Sequence, residues 1–270
     1  MEDRIHVNGI SIHVRQEGSG TDLVLTHGLG SSSAYWDRHL PVLTKHHRVL
    51  SWDVRGFGRS DKPEGPYSLD LFASDLVEIL GKLGIARAHF VGTSMGGVIT
   101  QRLALDYPRL LRSMILTSTS SQVGEVATKG WLRLADLIEE RGFNADTSAA
   151  IRSFSPAFAA RHPEEVALAS RQTAANDPRS YAAAARAVSQ YQWTEDLQRI
   201  QTPTLILQGI DDQLTPPGGS VIMSRNLPRA RLLMIPEAGH NLPVEQPIAF
   251  ESALLAFAAA TDFGAAAPFP

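Results

Sequence analysis

Apolar residues in this chain follow two rhythms. Short continuous runs recur: Leu23-Val24-Leu25, Val49-Leu50, His89-Phe90-Val91, Met114-Ile115-Leu116, Leu205-Ile206-Leu207 and residues 232–235. Runs this short, without polar alternation, predict strands buried on both faces, as in a parallel sheet covered by helices. Between the runs, apolar positions take a helical spacing. The clearest set is Leu71, Phe72, Leu76, Ile79, Leu80 and Leu83, with Ser68 placed as N-cap and Gly84 as stop. Residues 4–7 and 11–15 flank Asn8-Gly9, the strongest hairpin signal a short segment carries. An antiparallel start followed by alternating strands and helices predicts an α/β fold with a mostly parallel, doubly wound sheet.

The rhythm stops between residues 122 and 199. Ala-rich helical stretches near 126–141, 145–160, 163–175 and 178–191 are punctuated by Gly142, Pro156, Pro163 and Pro178. Strand patterning resumes after Pro203. The expected division is a core of residues 1–121 and 200–270 with a helical cap inserted at 122–199. In an open α/β sheet, ligands bind outside the carboxyl ends of the strands, and an all-helical insert is expected to sit over that edge. Residues 263–270, rich in Ala and Pro, are expected to form a loose tail.

Composition narrows the function. A chain of 270 residues has room for one large core with an inserted subdomain. The net charge of −3 argues against nucleic acid or an anionic membrane as main partner. No apolar run approaches the roughly 18 residues of a membrane span. Met1-Glu2-Asp3-Arg4 does not begin a secretory signal, so the expected location is cytoplasmic. The absence of cysteine removes disulfides, thiol catalysis and cysteine-ligated zinc. None of the nine histidines has metal-ligand spacing, and no G-x-G-x-x-G opens a helix after the first strand. No metal or cofactor is therefore expected.

The chemistry is carried by Gly92-Thr93-Ser94-Met95-Gly96, which joins the apolar run 89–91 to a helical pattern. A serine between glycines at a strand-to-helix turn is pushed out of the sheet as a nucleophile. Its hydroxyl needs a base within reach, and imidazole is the natural one. His240, in Glu237-Ala238-Gly239-His240, follows the run at 232–235 and so lies at the same sheet edge as Ser94. A buried carboxylate must hold that imidazole in one tautomer. Asp211 and Asp212, after the run at 205–207, both qualify by position. The oxyanion of a tetrahedral intermediate needs backbone donors. The Met95 amide opens a helix and supplies one. The Leu29 amide, in His27-Gly28-Leu29-Gly30, is the expected second.

With these residues in view, the chain resembles the α/β-hydrolase superfamily along nearly its whole length. The matching pieces are His27-Gly28, the loop from Asp53 through Arg55 to Ser60, the serine elbow, Gly209-x-x-Asp212 followed by Pro216, and Gly239-His240. The resemblance assigns the acid to Asp212, the aspartate three residues after Gly209. It implies a Ser94-Asp212-His240 triad acting on small-molecule esters or lactones. Residues 49–120, with Gly65-Pro66-Tyr67-Ser68-Leu69-Asp70, are similar to 3-oxoadipate enol-lactonases and small carboxylesterases. Haloalkane dehalogenases and epoxide hydrolases carry aspartate where this chain has Ser94. The expected activity is a carboxylesterase working through an acyl-enzyme. The alternatives are an enol-lactonase, a perhydrolase or acyltransferase, and a ligand receptor that has lost catalysis.

Other chemistry-bearing residues are given structural roles. His27 is expected to order the oxyanion loop, and Asp53 and Arg55 to pin their loop by hydrogen bonds and an ion pair. Trp36, Phe57, Trp131, Phe154, Phe158 and Trp193 are candidates to line an apolar substrate pocket. An enol-lactonase would need a cation for its substrate's carboxylate; Arg133, Arg141, Arg152 and Arg186 are the candidates.

Overall fold

Strand register explains how one sheet feeds two cores. In the computed structural model, which describes residues 2–143 and 152–264, an eight-stranded sheet runs in the order β1-β2-β4-β3-β5-β6-β7-β8. The strands are β1 Glu2–Val7, β2 Ile10–Glu17, β3 Thr21–Thr26, β4 His47–Trp52, β5 Ala88–Thr93, β6 Leu111–Thr117, β7 Thr204–Gly209 and β8 Ala230–Ile235. Successive side chains alternate between faces. Val24, Leu50, Phe90, Leu116 and Ile206 enter one apolar cluster, and Leu23, Leu25, Val49, Val91, Ile115, Leu205 and Leu207 enter the other. This is why the strands read as unbroken apolar runs rather than alternating ones.

Helices cover both faces. On the first lie α2 (Leu69–Lys82) and α3 (Met95–Asp106), burying Phe72, Leu76, Ile79, Leu80, Val98, Ile99 and Leu103. Ser68 caps α2 by accepting the Leu71 N–H at 3.1 Å, and Gly84 follows with φ 67°. Each large apolar side chain fully removed from water contributes about 1.5–3 kcal/mol. On the second face lie α1 (Leu40–Leu43) and α10 (Pro247–Asp262), burying Leu40, Leu43, Phe250, Leu254 and Phe257.

The opening hairpin turns at Asn8 and Gly9, whose φ of 46° and 78° match a left-handed two-residue turn. β2 pairs antiparallel with β4, and the pairs from β4 through β8 are all parallel. Their carboxyl ends therefore share one edge. β8 departs from the sequence expectation of a doubly buried strand. It is the last strand of the sheet, so its residues are only partly covered and Met234 is 38% exposed.

Between β6 and β7 the described residues form α4 (Glu125–Arg141), α5 (Pro156–Arg161), α6 (Pro163–Ala174) and α7 (Pro178–Ala187). The three prolines are first residues of helices, where the missing N–H costs nothing. The helix expected near 145–160 falls partly on residues 144–151, outside the described ones, as does most of the tail expected at 263–270. The helix expected to reach residue 191 stops at Ala187. Beyond it the chain pairs with the exit of β6 instead: Val123 N donates to Tyr191 O, and Trp193 N to Ser121 O, both at 3.1 Å. α4 packs on α7, and Ala135 and Ile138 of the first and Ala182, Ala184 and Ala185 of the second are buried. Tyr181, Val188 and Tyr191 join the same apolar cluster as Met95 and Val98. Trp131 of α4, with Val188 and Tyr191 beyond α7, also borders one cavity with Ser94, Met95 and Val98, so this part of the chain lies against the carboxyl edge of the sheet. Among the described residues no helix is long and apolar enough to cross a membrane.

Candidate active site

The chain leaves β5 and enters α3 within a single residue, Ser94, held at φ 52° and ψ −117°. A non-glycine residue in such a region carries a cost of about 1–3 kcal/mol and persists only where its surroundings fix it. Here they do. Ser94 N donates to Thr117 O at 2.9 Å, and Ser94 O accepts from Gly97 N, Val98 N and the Thr119 hydroxyl at 2.9, 3.1 and 3.0 Å. A Cβ on Gly92 would stand 2.3 Å from Gly96 O, and one on Gly96 would stand 2.2 Å from Thr26 O. Both positions must be glycine for the elbow to close.

α8 (Pro217–Asn226) follows β7, and the loop between them carries Asp211 and Asp212, the two candidates for the acid. Asp212 is buried and Asp211 exposed, which separates two neighbours that position alone could not. Asp212 Oδ1 accepts the Leu214 and Thr215 N–H groups at 2.8 and 2.9 Å. Its Oδ2 accepts the Thr215 hydroxyl at 2.7 Å, the Gln208 amide at 3.3 Å and His240 Nδ1 at 3.0 Å. Burial pushes the Asp212 carboxyl up. The charge and hydrogen bond of His240, with the Thr215 donors, outweigh burial and hold its pKa below the usual carboxylate value. With Nδ1–H donated to Asp212, the other ring nitrogen of His240 is left with a lone pair that can accept a proton.

Ser94, Met95 and Leu29 border a cavity of about 310 Å³. Thr215 stands in the same wall, with its hydroxyl 3.1 Å from His240 Nδ1. The cavity thus adjoins the serine, both expected oxyanion donors and the rim of the Asp212–His240 pair. Residues 119–123, leaving β6, form one side, joined by Tyr191 and Trp131 from the insert. Gly218, Gly219 and Ile222 of α8 form another. Among the described residues, no charged side chain borders it.

His27 is not available as a base. Its Nδ1 donates to Gly28 O at 2.8 Å and its Nε2 accepts Val54 N–H at 3.0 Å. Burial lowers its pKa, so the ring stays neutral and ties the His27-Gly28-Leu29-Gly30 loop to the exit of β4. Asp53 accepts Ser33 N at 2.6 Å and Arg59 N at 2.8 Å. Arg55 forms a buried bidentate pair with Asp75, both bonds 2.6 Å.

The expected pocket aromatics are mostly elsewhere. Trp131 borders the cavity. Trp36 is fully buried on the opposite sheet face, stacked on Phe250 at 6.0 Å. Phe57 packs edge-on against His27. Phe154 and Phe158 stack on each other at 5.3 Å in a small separate cluster. Trp193 donates its Nε1–H to Gln101 at 3.2 Å. Large rings gain most where they are buried, Trp36 between sheet and helix and Phe154 on Phe158, and the hydroxyl-rich exit of β6 takes the cavity wall instead. Of the arginines, Arg133, Arg141 and Arg152 are exposed, and Arg186 is paired with Asp136 and Glu139.

Two residues of the site escape a reading of the sequence. Thr215 looks like an ordinary loop threonine; its place three residues after Asp212 is the only signal. Glu245, five residues after His240, ends the short helix α9 (Leu242–Glu245) and is 7% exposed. Its Oε1 accepts Gly239 N and its Oε2 accepts Ser155 N, each at 2.9 Å.

Comparison with known proteins places this geometry in a lineage. Residues 23–247 match the family described as alpha/beta hydrolase fold. The chain is 32% identical over 233 residues to 3-oxoadipate enol-lactonase 2 of Acinetobacter baylyi, covering 86% of each chain. It is 34% identical over 251 residues to RutD of Pseudomonas savastanoi pv. phaseolicola, whose name ascribes carbamate hydrolysis to it, covering 91% of this chain and 96% of that one. A thermophilic esterase from Thermogutta terrifontis superposes with a TM-score of 0.90 at 26% identity, covering 97% of this chain and 99% of the other. Fold, elbow and family match converge: the chain belongs to the α/β-hydrolase family.

Proposed function

We propose that the protein is a serine hydrolase that cleaves small, uncharged carboxylic esters through an acyl-enzyme. The observation that carries this is the Asp212–His240 hydrogen bond at the margin of the cavity that Ser94 borders. Ser94 attacks the ester carbonyl as His240 takes its proton. Asp212 orients the imidazole and stabilises the imidazolium. The Met95 amide, at the start of α3, and the Leu29 amide hold the oxyanion. The alcohol leaves with the proton from His240, and water repeats the cycle on the acyl-enzyme. The described residues between β6 and β7 act as a cap on the cavity, through Ala127, Trp131, Val188 and Tyr191, and select the substrate. The chemistry needs no cofactor.

Lactone cleavage is the second reading, favoured by the similarity to the Acinetobacter enol-lactonase. It uses the same residues on a cyclic ester. Among the described residues the cavity wall carries no charge, which supports neutral substrates over anionic ones, because a carboxylate buried without a partner is strongly penalised. The test is a comparison of kcat/KM for p-nitrophenyl acetate, a neutral lactone and a carboxylated enol-lactone. Neutral substrates are expected to be preferred by at least ~10-fold. A preference for the carboxylated enol-lactone would overturn the proposed specificity.

A further inference from the structure

The loop carrying His240 is fastened to the helical insert at three points. Glu245 spans the gap with one carboxylate, taking the Gly239 N–H on Oε1 and the Ser155 N–H on Oε2, both at 2.9 Å. Asn241 N donates to Ser153 O at 2.8 Å. The strands of chain run so close that a Cβ on Gly239 would lie 2.4 Å from Ser155 N. Val244 packs beside the Phe154–Phe158 stack, closing the contact with apolar surface. A buried carboxylate accepting two converging backbone donors fixes both backbones at once. One of those backbones immediately precedes the base, and the other is the N-cap of α5 in the insert.

We propose that Glu245 is a positioning residue for His240: its carboxylate clamps the base's loop to residue 155, so the insert's placement governs the aim of the imidazole. This rests on the reading of Ser94 and His240 as nucleophile and base. Glu245 does not itself touch the reacting atoms. Glutamine is the informative replacement, because it is nearly isosteric but offers only one oxygen. One of the two N–H groups would then face the amide's own N–H.

The experiment compares wild type, Glu245→Gln, Glu245→Asp and Ser94→Ala with p-nitrophenyl acetate. Active sites are counted with a fluorophosphonate, and the folded fraction is measured at the assay temperature. For Glu245→Gln, kcat per titrated site is expected to fall on the order of 10- to 100-fold, because small misplacements of a reacting group cost this much. KM is expected to stay within about twofold, since the cavity wall is untouched. The downfield Nδ1 proton resonance of His240 is expected to shift or broaden. Glu245→Asp, which keeps the charge on a shorter arm, is expected to fall between the two. It carries the comparison alone if the glutamine variant does not fold. Wild-type kcat per site and an unmoved His240 resonance would reduce Glu245 to a purely structural role and overturn the proposal. Wild-type turnover by Ser94→Ala would instead overturn the reading beneath it.

Discussion

Ser94 combines two costs that a single substitution can separate. Its hydroxyl is proposed to do the chemistry, and its backbone sits where glycine is preferred. Ser94→Gly is therefore expected to abolish ester turnover and to raise stability by about 1 kcal/mol, read from urea unfolding. A destabilised Ser94→Gly variant would mean that the side chain, not the surrounding hydrogen bonds, holds the elbow. Asp212 makes an equally specific demand. Every group facing its two oxygens is a donor, so an amide nitrogen there meets N–H and O–H groups head-on. Asp212→Asn is expected to lower kcat by about 10⁴ while Asp211→Asn leaves it near wild type. Equal losses in the two variants would refute the assignment of the acid.

At the scale of elements, the cavity is shaped by what α8 lacks. Gly218 borders the cavity, and a Cβ added there meets nothing within 4 Å. Gly218→Val should fill space without disturbing the helix. Its KM for a long-chain ester is expected to rise about tenfold or more, with little change for the acetate. An unchanged chain-length profile would mean that acyl chains do not occupy that wall. The strands were legible from the chain alone because burial on both faces leaves continuous apolar runs, and because Asn8-Gly9 strongly favours the left-handed hairpin turn. The same logic misjudged β8, whose run 232–235 is apolar although it forms an edge. Aromatic residues misled for a related reason. Trp36 and Trp131 carry the same local signal, and only the path of the chain puts one in the core and the other at the cavity. Glu245 was silent because its partners, Gly239 and Ser155, contribute backbone amides, which leave no trace in a sequence.

Across the whole molecule, acid stability is expected to depend on histidines that are buried neutral. Burial lowers the pKa of His27, His39, His47 and His89, the last to about 4, although neighbouring carboxylates or carbonyls partly oppose it. Below the ordinary pKa of 6.5 the unfolded chain takes up protons that the folded chain does not, so stability falls as pH drops. His89 alone is expected to remove about 2 kcal/mol between neutral pH and pH 5. Asp212 acts in a lower window. Its depressed pKa gives stability that is present above the normal carboxylate range and is lost as pH falls through the folded value. Urea midpoints measured at pH 7 and pH 5 test this. The decline is expected to be shallower in His89→Gln, and an identical decline would assign the acid lability to other groups.

The most direct test concerns one covalent bond. Mixing the protein with p-nitrophenyl acetate, quenching in acid within the first turnover and sequencing the peptides by mass should reveal acetyl on Ser94. Ser94→Ala should carry none and should lose on the order of 10⁶ in turnover. Undiminished hydrolysis by Ser94→Ala, or a productive acetyl group on another residue, would contradict the proposed mechanism.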